Sequence, residues 1–196
     1  MTGTNKNNKL TAERKIFGLK GFTLIEVIVV SFIFSLIILT ITNLSISVFQ
    51  QQKKALSQQE LLDQTSYAIE YMSRALRMAG KDSSGSCLGV QDENYALTRE
   101  NKGIIFINHS DGDACQEFFW DSDTLELKES KNGSTALSFL SDRLQVNYLS
   151  INLSGESGDD YLQPRVTISM EVQFKGSGTQ PIKQIQTTIS QRNLDD

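Results

Sequence analysis

One segment near the N-terminus constrains the fold of this chain more than any other. In residues 22–49, 19 of the 28 residues are apolar, and Glu26 is the only charged residue between Lys20 and Lys53. The densest part, residues 22–41, would span about 30 Å as an α-helix, the thickness of a bilayer's hydrocarbon core. The rest of the chain is too small to bury such a helix, and a secretory signal peptide would be shorter and end in small residues. We therefore expect a retained membrane helix.

The charges on the two sides of this segment predict its orientation. Residues 1–21 contain five basic residues and Glu13, which gives a net charge of +4. Because the whole chain has a net charge of −4, residues 22–196 carry −8. A basic excess before the helix places the N-terminus in the cytoplasm, although Lys53 and Lys54 beyond it reduce the asymmetry. We therefore expect the remainder to be extracytoplasmic, in a compartment that permits disulfides.

The junction between the basic leader and the apolar segment carries the chemistry. A carboxylate within an apolar span costs about 2.5–3.5 kcal/mol, so Glu26 requires a partner. Cleavage between Gly21 and Phe22 would expose an ammonium group four residues before Glu26, on the same helix face. This amine could pair with Glu26 of its own chain or of a neighbour and fix the register of an assembly. The alternative is a glutamate near the membrane surface that reaches water.

Residues 20–26, Lys-Gly-Phe-Thr-Leu-Ile-Glu, resemble the class III signal of type IV pilins and type II secretion pseudopilins. The resemblance implies that a membrane aspartyl prepilin peptidase cleaves between Gly21 and Phe22 and N-methylates Phe22. It implies that Glu26 is the glutamate needed for assembly. The expected partners are membrane lipid before assembly, other pilins or pseudopilins, and an inner-membrane assembly platform with its ATPase. The expected location is the inner membrane and then a cell-surface or periplasmic filament, with no cofactor.

Two further segments refine this resemblance. Residues 67–80 are similar to the end of the long helix in PilW-type minor pilins and J-class pseudopilins, and they end in Arg74-Ala-Leu-Arg77-Met-Ala-Gly80. Residues 187–194 are like the closing strand of many minor pilins. Major pilins often carry a helix-breaking proline, which residues 22–79 lack. The resemblance therefore favours a minor pilin that acts in filament initiation or at the tip. The alternatives are a J-like pseudopilin of type II secretion and a single-pass anchored binding module.

The expected fold class is α+β, a pilin fold with a long N-terminal transmembrane and amphipathic helix packed on a C-terminal antiparallel β-sheet head. The expected organisation is a cleaved basic leader at 1–21, a helix at 22–80 whose part 22–49 is transmembrane, and a β-rich extracytoplasmic head at 81–196.

Periodicity supports this division. After the membrane segment, one series of apolar positions recurs every seven residues beside a second: Ala55, Leu62, Ile69 and Leu76, and then Thr65, Met72 and Ala79. Together they predict one stripe on the helix. This stripe covers the sheet or pairs with another chain in a coiled coil. Alternation and short apolar runs predict strands at 104–108, 117–120, 125–128, 144–148, 166–174 and 182–189. Asn132-Gly133 predicts a hairpin turn, and glycine-rich and polar residues predict loops at 154–160 and 175–180.

Other candidate sites are weaker. Cys87 and Cys115 could close a disulfide loop that stabilises the fold by about 3.5 kcal/mol, or they could be independent thiols. Asp111 and Asp113, with Asp121 and Asp123, offer oxygen ligands of the kind calcium prefers, but their spacing is not that of an EF-hand and aspartates are common in turns.

Catalysis and nucleic-acid binding are not expected. His109 lies near a serine and two aspartates, yet no nucleophile elbow occurs, so an anchored hydrolase is the remotest alternative. A pI near 5.1 argues against a nucleic-acid partner. We therefore expect a structural subunit rather than an enzyme.

Overall fold

The structure, a computed structural model, describes residues 21–155, 163–176 and 181–192. All of the expected leader except Gly21 lies outside the described residues, as do most of the two polar loops and residues 193 and 194 of the C-terminal resemblance. The chain divides into two units, Met1–Gln50 and Gln51–Asp196.

One helix, α1, spans Leu24–Arg77 and contributes residues to both units. It begins two residues later than expected because Thr23 caps it, and it ends earlier because Ala79–Gly80 form a strand. Absence of glycine and proline from this stretch lets the helix continue for 54 residues.

The first unit is an apolar helical segment without protein cover. Every described residue from 21 to 50 is exposed. An 18-residue window of α1 has a mean hydropathy of 2.8, and none of it is buried within the protein, so the helix is long and apolar enough to cross a membrane. Apolar surface of this extent is stable only when lipid or other chains cover it.

The second unit contains two antiparallel sheets. The first is built from six strands: β1 (Ala79–Gly80), β2 (Ala96–Thr98), β3 (Gly103–Asn108), β4 (Ala114–Asp121), β5 (Glu126–Lys131) and β6 (Leu137–Ser138). The strand order is β1-β3-β4-β5-β6, and β2 also pairs with β3. The predicted turn between β5 and β6 is confirmed, because Asn132 and Gly133 both have positive φ, 48° and 69°.

The second sheet has the order β7-β8-β9, with strands Leu144–Ser154, Arg165–Phe174 and Ile182–Ser190. Buried side chains alternate along the whole of β8, as predicted. Strand β7 contains a bulge between Val146 and Tyr148, which turns Tyr148 outward with 54% of its surface exposed. The bulge therefore reverses the alternation that the sequence predicted for Tyr148.

The core of the second unit lies between the C-terminal part of α1 and both sheets. The helix buries a stripe beginning at Leu61 and continuing through Thr65, Ala68, Met72 and Leu76. Leu62 and Ala55 of the predicted stripe are exposed instead. An uninterrupted helix turns every 3.6 residues, so a strict seven-residue repeat drifts off the buried face.

The α+β class is confirmed: one long N-terminal helix packs against antiparallel sheets. The head divides its strands between two sheets rather than the single sheet that the sequence suggested. The sheets meet where the backbone N–H of Val146 donates to the carbonyl of Leu125 at 2.8 Å and the Trp120 ring N–H donates to the carbonyl of Val146 at 2.8 Å.

Candidate functional site

The candidate site is the three-residue approach to α1 and the first helical turn. Gly21, Phe22 and Thr23 precede the helix and are exposed, and Phe22 exposes 81% of its surface. A Cβ built on Gly21 would meet nothing within 4 Å. Within the described residues, the fold therefore does not require glycine at this position.

Thr23 is the N-cap of α1. Its hydroxyl accepts a hydrogen bond from the backbone N–H of Glu26 at 3.4 Å, and its carbonyl accepts from the N–H groups of Glu26 and Val27 at 3.1 and 3.3 Å. Residues 23–26 read Thr-x-x-Glu, the pattern of a capping box. The cap fixes where the helix starts and therefore places Glu26 in its first turn. A carboxylate at this position interacts favourably with the positive end of the helix dipole.

Glu26 carries an isolated charge on an apolar surface. No cationic side chain among the described residues pairs with its carboxylate, and the neighbouring Leu24 and Ile25 are exposed by 81% and 65%. Within the described residues, Glu26 is therefore a carboxylate without a cationic partner on an apolar surface, an arrangement that is costly in lipid.

Residues 19–42 match the family model of the prokaryotic N-terminal methylation motif. The chain carries the prepilin signal of the type IV pilin and pseudopilin superfamily. No curated protein and no solved structure matches it.

The prepilin signal implies processing by prepilin peptidase and assembly with other pilins. Together with the exposed apolar helix, it fits a membrane-anchored single-pass protein. A pilin-type signal and fold indicate a structural subunit rather than an enzyme.

The role of Thr23 as the cap of α1 is the feature of this site that sequence reasoning missed. A threonine three residues before a glutamate at the start of an apolar run is itself a helix-start signal, and it was available in the sequence. The cap makes Leu24, and not Phe22, the first helical residue. Phe22 therefore precedes the helix, so the amine that cleavage would release is one residue before the cap.

The two cysteines lie together in the head. A disulfide joins Cys87 to Cys115 across a sequence separation of 28 residues. Beside it, the buried Asp82 carboxylate accepts backbone N–H bonds from Leu88 at 2.9 Å, Cys87 at 2.8 Å and Gly85 at 2.8 Å. These bonds, led by that of Leu88, hold the pKa of Asp82 below its usual range. Asp82 thus organises the loop that presents Cys87.

The calcium candidates have other partners. Asp111 accepts a bond from the Lys131 ammonium at 2.6 Å, Asp113 contacts the His109 ring, and Asp121 accepts from Lys128 at 2.6 Å. The described residues contain no group of three or more His, Cys, Asp or Glu side chains that could hold a metal ion. Asp111 and Asp121 therefore form ion pairs with lysines of the head, and Asp113 contacts an imidazole.

His109 lies between strand β1 and Asp113. A Cβ at Gly80 would overlap the His109 imidazole, so the ring packs directly on the backbone of β1. One ring nitrogen contacts the Asp113 carboxylate. A side chain at position 80 would therefore displace the His109 ring from this place.

Proposed function

We propose that this chain is a minor pilin or pseudopilin, a structural subunit of a type IV pilus-like filament that acts in filament initiation or at the tip. The observation that carries the proposal is an exposed apolar segment, residues 22–49, whose one carboxylate, Glu26, lies four residues after the residue that processing would make the N-terminus.

Processing would create the missing partner of Glu26. Hydrolysis of the Gly21–Phe22 amide leaves a carboxylate on the leader and an ammonium on Phe22. N-methylation converts this primary amine to a secondary one, which keeps its positive charge at neutral pH. An ammonium beside the positive end of α1 is unfavourable by itself, because the helix dipole repels it. The Glu26 carboxylate offsets both charges, on its own chain or on a neighbour.

This pair would supply specificity during assembly. Moving an apolar helix from lipid into a bundle of apolar helices gains little hydrophobic free energy, because both surroundings are equally apolar. A buried ion pair that forms at one axial position, by contrast, favours one register over the others, since a misplaced charge stays unpaired. Glu26 would therefore select the register between subunits.

We propose further that the chain is inserted in the inner membrane with its N-terminus in the cytoplasm and its head outside. The basic leader supports this orientation, and the Cys87–Cys115 disulfide fits an oxidising compartment. Prepilin peptidase, an assembly platform and its ATPase would then act on it from the membrane. A J-like pseudopilin of a type II secretion filament is the second candidate, supported by the Arg74 to Gly80 pattern at the end of α1.

The first experiment is mass spectrometry of the native N-terminus, combined with filament shearing. We expect a mature chain that begins at methylated Phe22 and has lost about 2 kDa, and we expect it in the sheared filament fraction. Glu26→Gln should leave cleavage intact and reduce incorporation by at least about tenfold, because the amine loses a charged partner.

Glu70→Gln is the matched control. Glu70 is also an exposed glutamate of α1, but it pairs with Arg74 at 2.7 Å outside the signal. It should incorporate like the wild type. A native chain that still begins at Met1, or Glu26→Gln subunits that incorporate normally, would refute the proposal, and a processed chain absent from filaments would favour the anchored binding module.

A further inference from the structure

The outward face of the β7-β8-β9 sheet has an unusual composition for a protein surface. Its side chains are those opposite the buried positions of each strand, and most bear hydroxyl or amide groups: Gln145, Ser150 and Asn152 on β7, Thr167, Ser169 and Gln173 on β8, and Gln184, Gln186 and Thr188 on β9. Among the described residues of this face, only Glu171 and, at the far end, Arg165 carry charge. Surfaces that merely keep a protein soluble contain many charges of both signs.

Three side chains form one row across the middle of this face. Tyr148, Glu171 and Gln184 are direct cross-strand neighbours on β7, β8 and β9. The bulge in β7 puts the Tyr148 ring on this side, 54% exposed, rather than in the core. Bulges occur at sheet edges, as here, and beside binding sites, and in both places they re-aim a side chain.

The carboxylate of Glu171 is held in place by amides. Asn147 donates to one oxygen at 3.0 Å and Gln184 donates to the other at 2.8 Å, and Gln145 in turn donates to Asn147 at 3.0 Å. No cation among the described residues pairs with it. The two donors orient the carboxylate and leave lone pairs on each oxygen free to accept further hydrogen bonds.

An open groove of about 350 Å³ lies over this row, lined among others by Tyr148, Ser169, Glu171, Gln184 and Gln186. This volume is within the range of small-ligand sites. The groove thus combines an aromatic ring, an oriented acceptor, and amide and hydroxyl groups that both donate and accept.

We propose that this face binds a neutral oligosaccharide, with the groove at Tyr148 as its central subsite. Sugar hydroxyls donate and accept hydrogen bonds alternately, which matches the amide and hydroxyl side chains around the groove. The exposed ring provides a flat apolar surface for the C–H face of a pyranose, and Glu171 accepts from two hydroxyls. A polyanionic ligand does not fit, because the groove's charge is negative.

The test is glycan binding by the full-length protein in detergent, measured by titration calorimetry. The probes are β-1,4-linked hexasaccharides of glucose and of N-acetylglucosamine and an α-linked hexasaccharide of mannose, with a galacturonate hexasaccharide as the anionic comparison. At least one neutral probe should bind, the galacturonate probe should not, and affinity should change less than about twofold up to 0.5 M salt, because no net charge is neutralised.

The decisive variants are Tyr148→Ala and Glu171→Ala, each expected to weaken binding of the neutral probe by at least about tenfold. Tyr67→Ala is the matched control, since Tyr67 is a similarly exposed tyrosine (59%) on α1. Thermal unfolding of each variant checks that the head remains folded, and Tyr148→Phe, which keeps the ring, should retain most of the affinity.

Absence of binding to every neutral probe would overturn the proposal, as would an equal loss in Tyr67→Ala. So would normal glycan binding by Tyr148→Ala together with loss of filament incorporation, because the face would then be a contact between subunits. The inference does not rest on the proposed filament role, since a chain that is neither cleaved nor assembled should still bind the probe.

Discussion

At the scale of the residue, the role proposed for Glu26 would let one carboxylate serve two states of the chain. Before cleavage it lies in the first turn of α1, where its charge opposes the helix dipole. After cleavage the Phe22 ammonium would become its partner, four residues away. The Thr23 cap is what makes this spacing structurally defined, because it fixes the residue at which the helix begins. The glutamine variant keeps the size of the side chain and removes only the charge.

Asp121 provides a residue-scale prediction of pH dependence. Its bond from the Lys128 ammonium at 2.6 Å and that from the Asp123 N–H at 3.0 Å lower the pKa of Asp121 from 3.8 to about 2. A carboxyl group with a depressed folded-state pKa stabilises the fold above its unfolded pKa, and this contribution disappears as pH falls through the folded value.

Asp121→Asn should therefore be less stable than the wild type at pH 7, and the difference should vanish between about pH 4 and pH 2. Chemical unfolding of the two chains across this range measures it. Asp92→Asn is a suitable control, because Asp92 lies 3.9 Å from Lys81 on the surface and should contribute almost nothing. A stability difference that stayed constant down to pH 2 would contradict the assignment.

At the scale of the element, the hydroxyl side chains of the apolar part of α1 find hydrogen-bond partners within the helix itself. Its membrane segment contains serines and threonines, whose hydroxyls would be costly in lipid if unpaired. Ser31, Ser35, Thr42 and Ser45 each donate to the carbonyl four residues earlier, at 2.8 to 2.9 Å. These hydroxyls are therefore satisfied within the helix, which makes the segment compatible with lipid despite its polar residues.

The sequence predicted the long, regularly alternating strands correctly and missed the shortest ones. The ten-residue β8 alternates without interruption, so its buried face was correct. Strands β1, β2 and β6, of two, three and two residues, are too short to show a period and were missed. The outward turn of Tyr148 could not be predicted, because a bulge depends on pairing with β8 and not on the local sequence.

The candidate site was more predictable than the head, for a physical reason. Its signal is local: Gly21 and Phe22 directly precede α1 and Glu26 lies in its first turn, so the motif can be recognised from a short run of consecutive residues. The row of Tyr148, Glu171 and Gln184 comes from three strands, and only the sheet register brings it together.

The Cys87–Cys115 disulfide gives a prediction at this scale, because it ties the loop between β1 and β2 to strand β4. Replacing both cysteines by serine should lower the free energy of unfolding by about 3.5 kcal/mol, through the freedom that the unfolded chain regains. Denaturant titration of the variant and of the reduced wild-type protein measures this. The two should agree, and an unchanged midpoint in both would show that the bond adds no stability.

At the scale of the whole molecule, charge and apolar surface are separated along the chain. The leader carries +4, the apolar segment follows, and the chain after the leader carries −8. In the proposed orientation the leader would supply the positive charge that the membrane retains on the cytoplasmic side, and its removal would leave an acidic protein with an exposed apolar helical segment. Such a chain keeps its orientation after processing because moving an acidic head across lipid is prohibitively costly.

This separation of charge along the chain predicts the membrane topology, with the leader in the cytoplasm and the head outside. A cysteine introduced by Thr135→Cys lies at an exposed position of the head, and one introduced by Asn7→Cys lies in the leader. In spheroplasts that lack prepilin peptidase, a membrane-impermeant maleimide should label the first variant at once and the second only after permeabilisation. The wild-type chain, whose cysteines are joined, is the control for background labelling. The reverse pattern would contradict both the orientation and the processing route, because the leader must face the cytoplasm for the positive charges of residues 1–21 to account for insertion.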